Sequence, residues 1–423
     1  MRIDRLTLTN YKGFESRAFE LNPRFNLFVG ENATGKTSIL DALTLAMDSW
    51  FIGFKADEGI GSIRPHEVRF KPYKYEDSVS FEPQYPSQVE AWGVVMGETL
   101  SWARELSKSG GRTTTAGAKE LTAIATDANR KVRDGIDVDL PLICSYGAER
   151  LWYESPHRNK RNGESEKSRP SRLDGYRDCT AFEIQETVLL KWIEAEISIS
   201  QQRGRDTNAL AVIKQALVNC VDYAETIYYD PRVEDLVIVM GQHGHQLFHN
   251  LSAGQRIMVI LIGDLARRAI TLNPHMGGDV LEKVVGIVAI DELDLHLHPK
   301  WQRRVIHDLK RTFPQIQFVA STHSPQLIGE ARPGEIRILE DWDVSIPDRS
   351  FGIDSNRILQ ELMHASPRNG DTQALLSELA VKIDQEDLDS AKELVAKVVD
   401  ELGENDPEVT GANTLISLLE TTK

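Results

Sequence analysis

Three observations predict an α/β fold built on a parallel sheet. Residues 25–29 read as a short apolar strand that enters a glycine-containing loop and continues as a helix. Residues 286–290 (Gly-Ile-Val-Ala-Ile) form an apolar run that ends in Asp291-Glu292. Residues 316–320 form another, ending in Ser321-Thr322-His323-Ser324. Short, nearly continuous apolar strands are the signature of parallel strands covered on both faces.

The chain opens on an alternating strand, residues 2–9, with Ile3, Leu6 and Leu8 apolar between polar positions. A turn at Asn10-Tyr11-Lys12-Gly13-Phe14 follows. Gly30-Glu31-Asn32-Ala33-Thr34-Gly35-Lys36-Thr37 then fits G-x-x-x-x-G-K-[ST] at every position. In that pattern the glycines let backbone N–H groups surround phosphate oxygens. Lys36 reaches the β- and γ-phosphates, and the Thr37 hydroxyl is a Mg²⁺ ligand. A helix is expected from there through Ser38 to residue 43, its N-terminus favouring phosphate charge.

The second half supplies the rest of a nucleotide site. Asp291 is placed to hold Mg²⁺ and Glu292 to act as general base toward an attacking water. His323 is a candidate switch histidine for the γ-phosphate. Leu251-Ser252-Ala253-Gly254-Gln255 precedes an apolar helix over 257–269, with Ser252 a good N-cap type. Phosphate loop, signature segment, acidic strand end and histidine strand end occur in the order of an ABC-type ATPase. In that class the signature residues Ser252, Gly254 and Gln255 face the nucleotide held by a second subunit, and Asp294 is expected at the subunit junction. His296 and His298 alternate as zinc ligands can, but their stretch reads better as structural.

Composition narrows the setting. The 423 residues are 41% hydrophobic and 27% charged, which suits a folded protein with a sizeable core. No run approaches the roughly 18 apolar residues of a membrane span, and the N-terminus enters a strand directly, so a cytoplasmic protein without a signal peptide is expected. Cys144, Cys179 and Cys220 have neither metal-site spacing nor a disulfide framework. The formal net charge of −15 argues against a general DNA coat. Much of it lies in residues 381–423, which carry −7, whereas residues 150–178 carry +3. The latter form a basic loop able to touch a nucleic-acid backbone, with a solvated loop the blander reading. Arg150, after the strand at 141–146, is a candidate for nucleotide or partner contact, with a surface salt bridge the equal alternative.

About two hundred residues separate Thr37 from Leu251, with no sustained heptads, so long coiled-coil arms are excluded. The insertion divides into a β-rich part (62–95), a variable segment (97–139), the strand at 141–146 and a helical part (181–223). In the helical part Phe182, Ile184, Val188, Leu189, Trp192 and Ile193 recur at helical spacing. The tail offers two helices. Asp384 is the expected N-cap of the first, Gly403 its stop, and Asp406-Pro407 opens the second. Asp341-Trp342-Asp343 imitates a fragment of a TOPRIM acidic cluster by coincidence.

Asp291-Glu292-Leu293-Asp294-Leu295-His296-Leu297-His298-Pro299 is similar to the matching stretch of OLD-like and RecF-like ATPases. With Tyr-Gly-x-x-Arg-Leu-Trp (146–152) and Phe-Gly-Ile-Asp-Ser-Asn-Arg-Ile-Leu (351–359), the chain most resembles the ATPase subunit of Septu-type, retron-associated anti-phage systems. The resemblance implies a P-loop NTPase of the ABC/SMC-RecF type, with a two-lobed head, a short helical insertion and a helical tail. In RecF and SMC-type ATPases the turn at 10–14 lies beside the nucleotide. The resemblance further implies ATP and Mg²⁺ as ligands, a homodimer or higher homo-oligomer, and control of a separate HNH nuclease subunit. No nuclease activity of its own is expected. The expected divisions are 1–146 (first ATPase lobe), 147–235 (basic loop and helical insertion), 236–345 (second lobe) and 346–423 (acidic helical tail for assembly or partner binding). Two other readings are a RecF-like DNA-repair ATPase without a nuclease partner and a nucleotide-gated scaffold with negligible turnover.

Overall fold

The computed structural model describes residues 1–54, 60–148, 171–182 and 186–421. Arg150, Ile184 and most of the basic loop lie outside the described residues. The strands run in chain order as β1 (Arg2–Tyr11), β2 (Phe14–Glu20), β3 (Phe25–Gly30), β4 (Phe70–Lys74), β5 (Val79–Pro83), β6 (Ser87–Val95), β7 (Glu98–Leu106) and β8 (Leu142–Tyr146). They continue as β9 (Thr226–Asp230), β10 (Asp235–Val239), β11 (His245–Leu247), β12 (Gly286–Ile290), β13 (Ile316–Thr322), β14 (Ile336–Glu340) and β15 (Asp343–Ser345).

The central sheet has the order β15-β14-β3-β13-β12-β8. Every neighbouring pair is parallel except β14-β15. β8, β12 and β13 are buried along their whole length, as their apolar runs require. Beside it lies an antiparallel sheet, β2-β1-β6-β7. The sheets are joined by a side chain that imitates a strand. The buried Gln317 carboxamide accepts from the Ile3 amide at 2.9 Å and donates to the Ile3 carbonyl at 2.7 Å. It does so beside the register break between Ile3 and Arg5, where the ladder to β6 is interrupted. Buried backbone groups left without partners are costly, so this contact fixes β1 against the core.

Several expectations change here. The segment at 97–139, to which the sequence reading assigns no element, holds β7 and a helix, Lys119–Arg133. Buried Arg104 disguised the alternation of β7. It donates to the Gly61 and Thr114 carbonyls at 2.7 and 3.2 Å, while its Nη1 has no hydrogen-bond partner among the described residues. The helical part begins at Glu186, in the helix Glu186–Arg203, so Phe182 is not on it. Phe182 instead bridges Tyr146 with a left-handed backbone. Leu189 and Ile193 are buried, whereas Val188 is exposed.

The chain divides into two compact units, 1–352 and 353–423. Residues just before the division bond back to the first unit: Ser350 Oγ to the Ala331 carbonyl, and the Gly352 amide to the Gly329 carbonyl. The second unit contains three long helices rather than two, Gly370–Asp384, Leu388–Leu402 and Pro407–Thr421. Asp384 therefore ends a helix instead of capping one. The cap is Asp387, which accepts from the Ser390 amide. Leu379, Ile383, Leu394, Val395, Val398, Val409 and Ile416 form the shared core of the three helices. Gly403 does stop the second helix and Pro407 does open the third. Among the described residues, no helix is long and apolar enough to cross a membrane.

Candidate active site

In a parallel sheet, ligands bind beyond the carboxyl ends of the strands. The loops after β3, β12 and β13 meet there. Gly30 leaves β3 so close to β14 that a Cβ would lie 2.5 Å from the Leu339 carbonyl oxygen. Gly35 has φ of +100° and caps the helix Lys36–Asp48. Between them Thr34 Oγ1 donates to the Glu31 carbonyl at 2.9 Å. Glu31, Asn32 and Ala33 are exposed. Lys36 curls back, with Nζ donating to the Gly30 and Glu31 carbonyls at 2.8 and 2.7 Å. The ammonium is thus held at the mouth of the loop, and burial lowers its pKa against the pull of Asp291, Glu292 and Asp294. Ser38 follows in the first turn of the helix, half-buried.

Thr37 Oγ1 donates to Asp291 Oδ2 at 3.0 Å. The other Asp291 oxygen accepts from the Ser321 hydroxyl. Ser321 Oγ in turn accepts from the Glu292 amide at 2.8 Å, and its carbonyl accepts from the Leu293 amide at 2.9 Å. Glu292 has φ of +48°, a conformation seldom adopted outside glycine and asparagine. One residue on, Thr322 Oγ1 donates to Asp294 Oδ1 at 2.5 Å. Ser321 and Thr322 thereby lock the acidic turn to the end of β13. Sequence reasoning passed over both, and the available signal was polar residues buried inside an otherwise apolar strand. His323 lies just beyond them, its pKa pushed below the usual value by burial and by Lys36, while Asp294, Glu292 and Asp291 oppose the shift.

The oxygen pair of Thr37 and Asp291 fits Mg²⁺. This hard ion takes one or two protein oxygens and completes its shell with water and substrate phosphates. Among the described residues, no group of three or more His, Cys, Asp or Glu could hold a metal ion. His298 Nδ1 instead accepts from the Lys300 amide and caps a short helix.

The signature residues are organised separately. Ser252 caps the helix Ala253–Leu272 in a reciprocal box with Gln255: Ser252 Oγ accepts from the Gln255 amide at 3.3 Å, and Gln255 Oε1 from the Ser252 amide at 3.1 Å. Ser252 and Ala253 are exposed and Gly254 is buried. A Cβ on Gly254 would lie 2.5 Å from the His296 carbonyl oxygen. Arg256 fixes the helix start by pairing with Glu186 at 2.8 Å and lying over the Phe248 ring.

This arrangement defines a P-loop ATPase head of the ABC, SMC and RecF type. The chain belongs to the AAA-domain family whose model matches residues 5–219. A second AAA-domain model, whose description names the AbiEii toxin of type IV toxin–antitoxin systems, matches residues 238–329. The chain is 26% identical over 432 residues to the Retron Ec83 probable ATPase of Escherichia coli, covering 87% of this chain and 77% of that protein. It is 32% identical over 136 residues to the Septu protein PtuA of Bacillus thuringiensis, covering 30% of this chain and 34% of PtuA. A similarity to RecF of Lysinibacillus sphaericus, 42% over 48 residues, covers 11% of this chain and 13% of RecF. A solved SMC head bound to the C-terminal winged-helix domain of ScpA covers 83% of this chain and 98% of its own at 15% identity, with a TM-score of 0.47.

Proposed function

We propose that this chain hydrolyses ATP as one half of a head-to-head pair and that the resulting cycle controls a separate nuclease subunit in anti-phage defence. The observation that carries the ATPase reading is the Thr37–Asp291–Ser321–Glu292 chain of hydrogen bonds joining phosphate loop to acidic turn. Gly30 to Ser38 cradle the phosphates with backbone N–H groups, and Lys36 leaves its two carbonyl partners to meet the β- and γ-phosphates. Thr37 and Asp291 would hold Mg²⁺, and a bound ion would supply neutralisation of phosphate charge. Glu292 takes the proton of the attacking water. His323 meets the γ-phosphate.

Ser252, Gly254, Gln255 and Asp294 act across the pair, at the nucleotide of the other copy. The exposure of Ser252 and Ala253 at a helix start supports this, because that end attracts phosphate. The division into two ATPase lobes, a helical insertion and an acidic partner-binding tail belongs to the same reading, as does a cytoplasmic setting. The defence role rests on the retron relative, whose similarity runs through most of both chains. The RecF similarity, confined to 11% of the chain, supports the ATP motifs more than a repair role. Purification of the tagged protein from cells carrying its native neighbouring genes tests the reading. A stoichiometric nuclease is expected to co-purify. A homo-oligomer without protein partners that binds DNA in a salt-sensitive way would overturn nuclease control in favour of repair.

A further inference from the structure

The phosphate loop has an aromatic neighbour that the four ATP motifs do not include. β14 runs parallel to β3 with Leu339 opposite Gly30, so both strands end on the same side of the sheet. β14 then reverses into β15 through Asp341 and Trp342, with Glu340 paired to Asp343. Both turn residues have positive φ, +47° and +65°. That is the geometry of a two-residue hairpin turn normally built from Asn, Asp or Gly. A tryptophan held there is a backbone outlier, and such outliers concentrate at ligand sites. Asp343 anchors the turn by pairing with Arg17 at 3.0 Å.

The indole is delivered onto the loop itself. A Cβ on Gly13 would lie 2.0 Å from its ring, and one on Gly35 would lie 2.9 Å away. Phe14 meets it edge-on at 5.1 Å between centroids. Trp342 nevertheless remains 39% exposed. An indole braced by Gly13, Phe14 and Gly35 yet still part-exposed, beside the glycine that precedes Lys36, is placed as a stacking platform for a base attached to phosphates in the loop. Flat aromatic faces bind nucleobases with little demand for hydrogen bonds.

We infer that Trp342 is the base-recognition residue of the nucleotide site, stacking the base of a bound nucleoside triphosphate against the outer edge of the phosphate loop. This rests on the ATPase reading above and adds to it a residue that separates a nucleotide from bare phosphate. The test compares binding of ATP and of inorganic tripolyphosphate by titration calorimetry in the full-length wild type, Trp342→Leu and Trp342→Phe. Trp342→Leu should lose roughly 5- to 150-fold in ATP affinity, the range base–aromatic stacking supplies, with tripolyphosphate affinity unchanged. Trp342→Phe should recover most of the loss. Unchanged ATP affinity in Trp342→Leu would overturn the inference. So would an equal loss for both ligands, since the ring would then only prop Gly35. If the leucine variant does not fold, Trp342→Met, which keeps bulk over Gly13 without an aromatic face, carries the same comparison and the same outcomes. A wild type that binds neither ligand would remove the phosphate-loop reading itself and this one with it.

Discussion

Thr37 and Asp291, 254 residues apart in the chain, meet hydroxyl to carboxylate at 3.0 Å. Asp291 keeps that position because Ser321 holds its other oxygen while also accepting from the Glu292 amide. Ser321 is therefore a positioning residue for both acids. Ser321→Ala should reduce ATP turnover about 10- to 100-fold, as losses of supporting contacts around metal ligands do, and should raise the Mg²⁺ concentration needed for half-maximal rate. Turnover measured across a Mg²⁺ series checks this. An unchanged Mg²⁺ dependence would remove Ser321 from the site.

Gly254 and Ala253 separate folding from pairing in the signature segment. A methyl at 254 collides with the His296 carbonyl of the same chain, so Gly254→Ala should lower the melting temperature. Ala253 is exposed, so Ala253→Arg should melt as wild type does yet lose turnover if the helix start faces a second copy. Melting curves beside hydrolysis rates distinguish the two. Full activity in Ala253→Arg would contradict action across the pair.

Asp48 sets a pH dependence of stability. It ends the phosphate-loop helix, is buried, and accepts from the Gly61 amide at 3.1 Å. Burial pushes its pKa up to about 7, with the Thr180 side chain, the Gly61 amide and Arg104 pulling the other way. A raised carboxyl pKa contributes stability that is complete below the unfolded value near 4 and lost as pH rises through about 7. Asp48→Asn should therefore melt several degrees above wild type at pH 8, with the gap closing toward pH 5. A gap that widens on acidification would contradict the assignment.

Much of this was legible from the chain because the phosphate loop, signature and acidic strand end are local patterns with fixed chemistry. Gly35 and Ser252 stand at the starts of the helices their neighbours imply, and Thr37 and Asp291 meet. What was hidden depends on contacts distant in sequence. Gln317 looks like a polar interruption until its carboxamide is seen pairing with Ile3. Arg104 breaks an alternation that its buried bonds restore. Trp342 sits in a tripeptide whose match to an acidic cluster is coincidence, and only the parallel pairing of β14 with β3 carries it to the phosphate loop. The helix Gly370–Asp384 was missed because its cap, Asn369-Gly370, reads as a turn.

Phosphate release by Glu292→Gln at saturating ATP tests the central claim most directly. The variant should bind ATP as wild type does and turn over at least about 100-fold more slowly, the lower end of what a general base contributes. Hydrolysis at the wild-type rate would show that Glu292 does not activate the water, and the ATPase mechanism built on this acidic turn would fall.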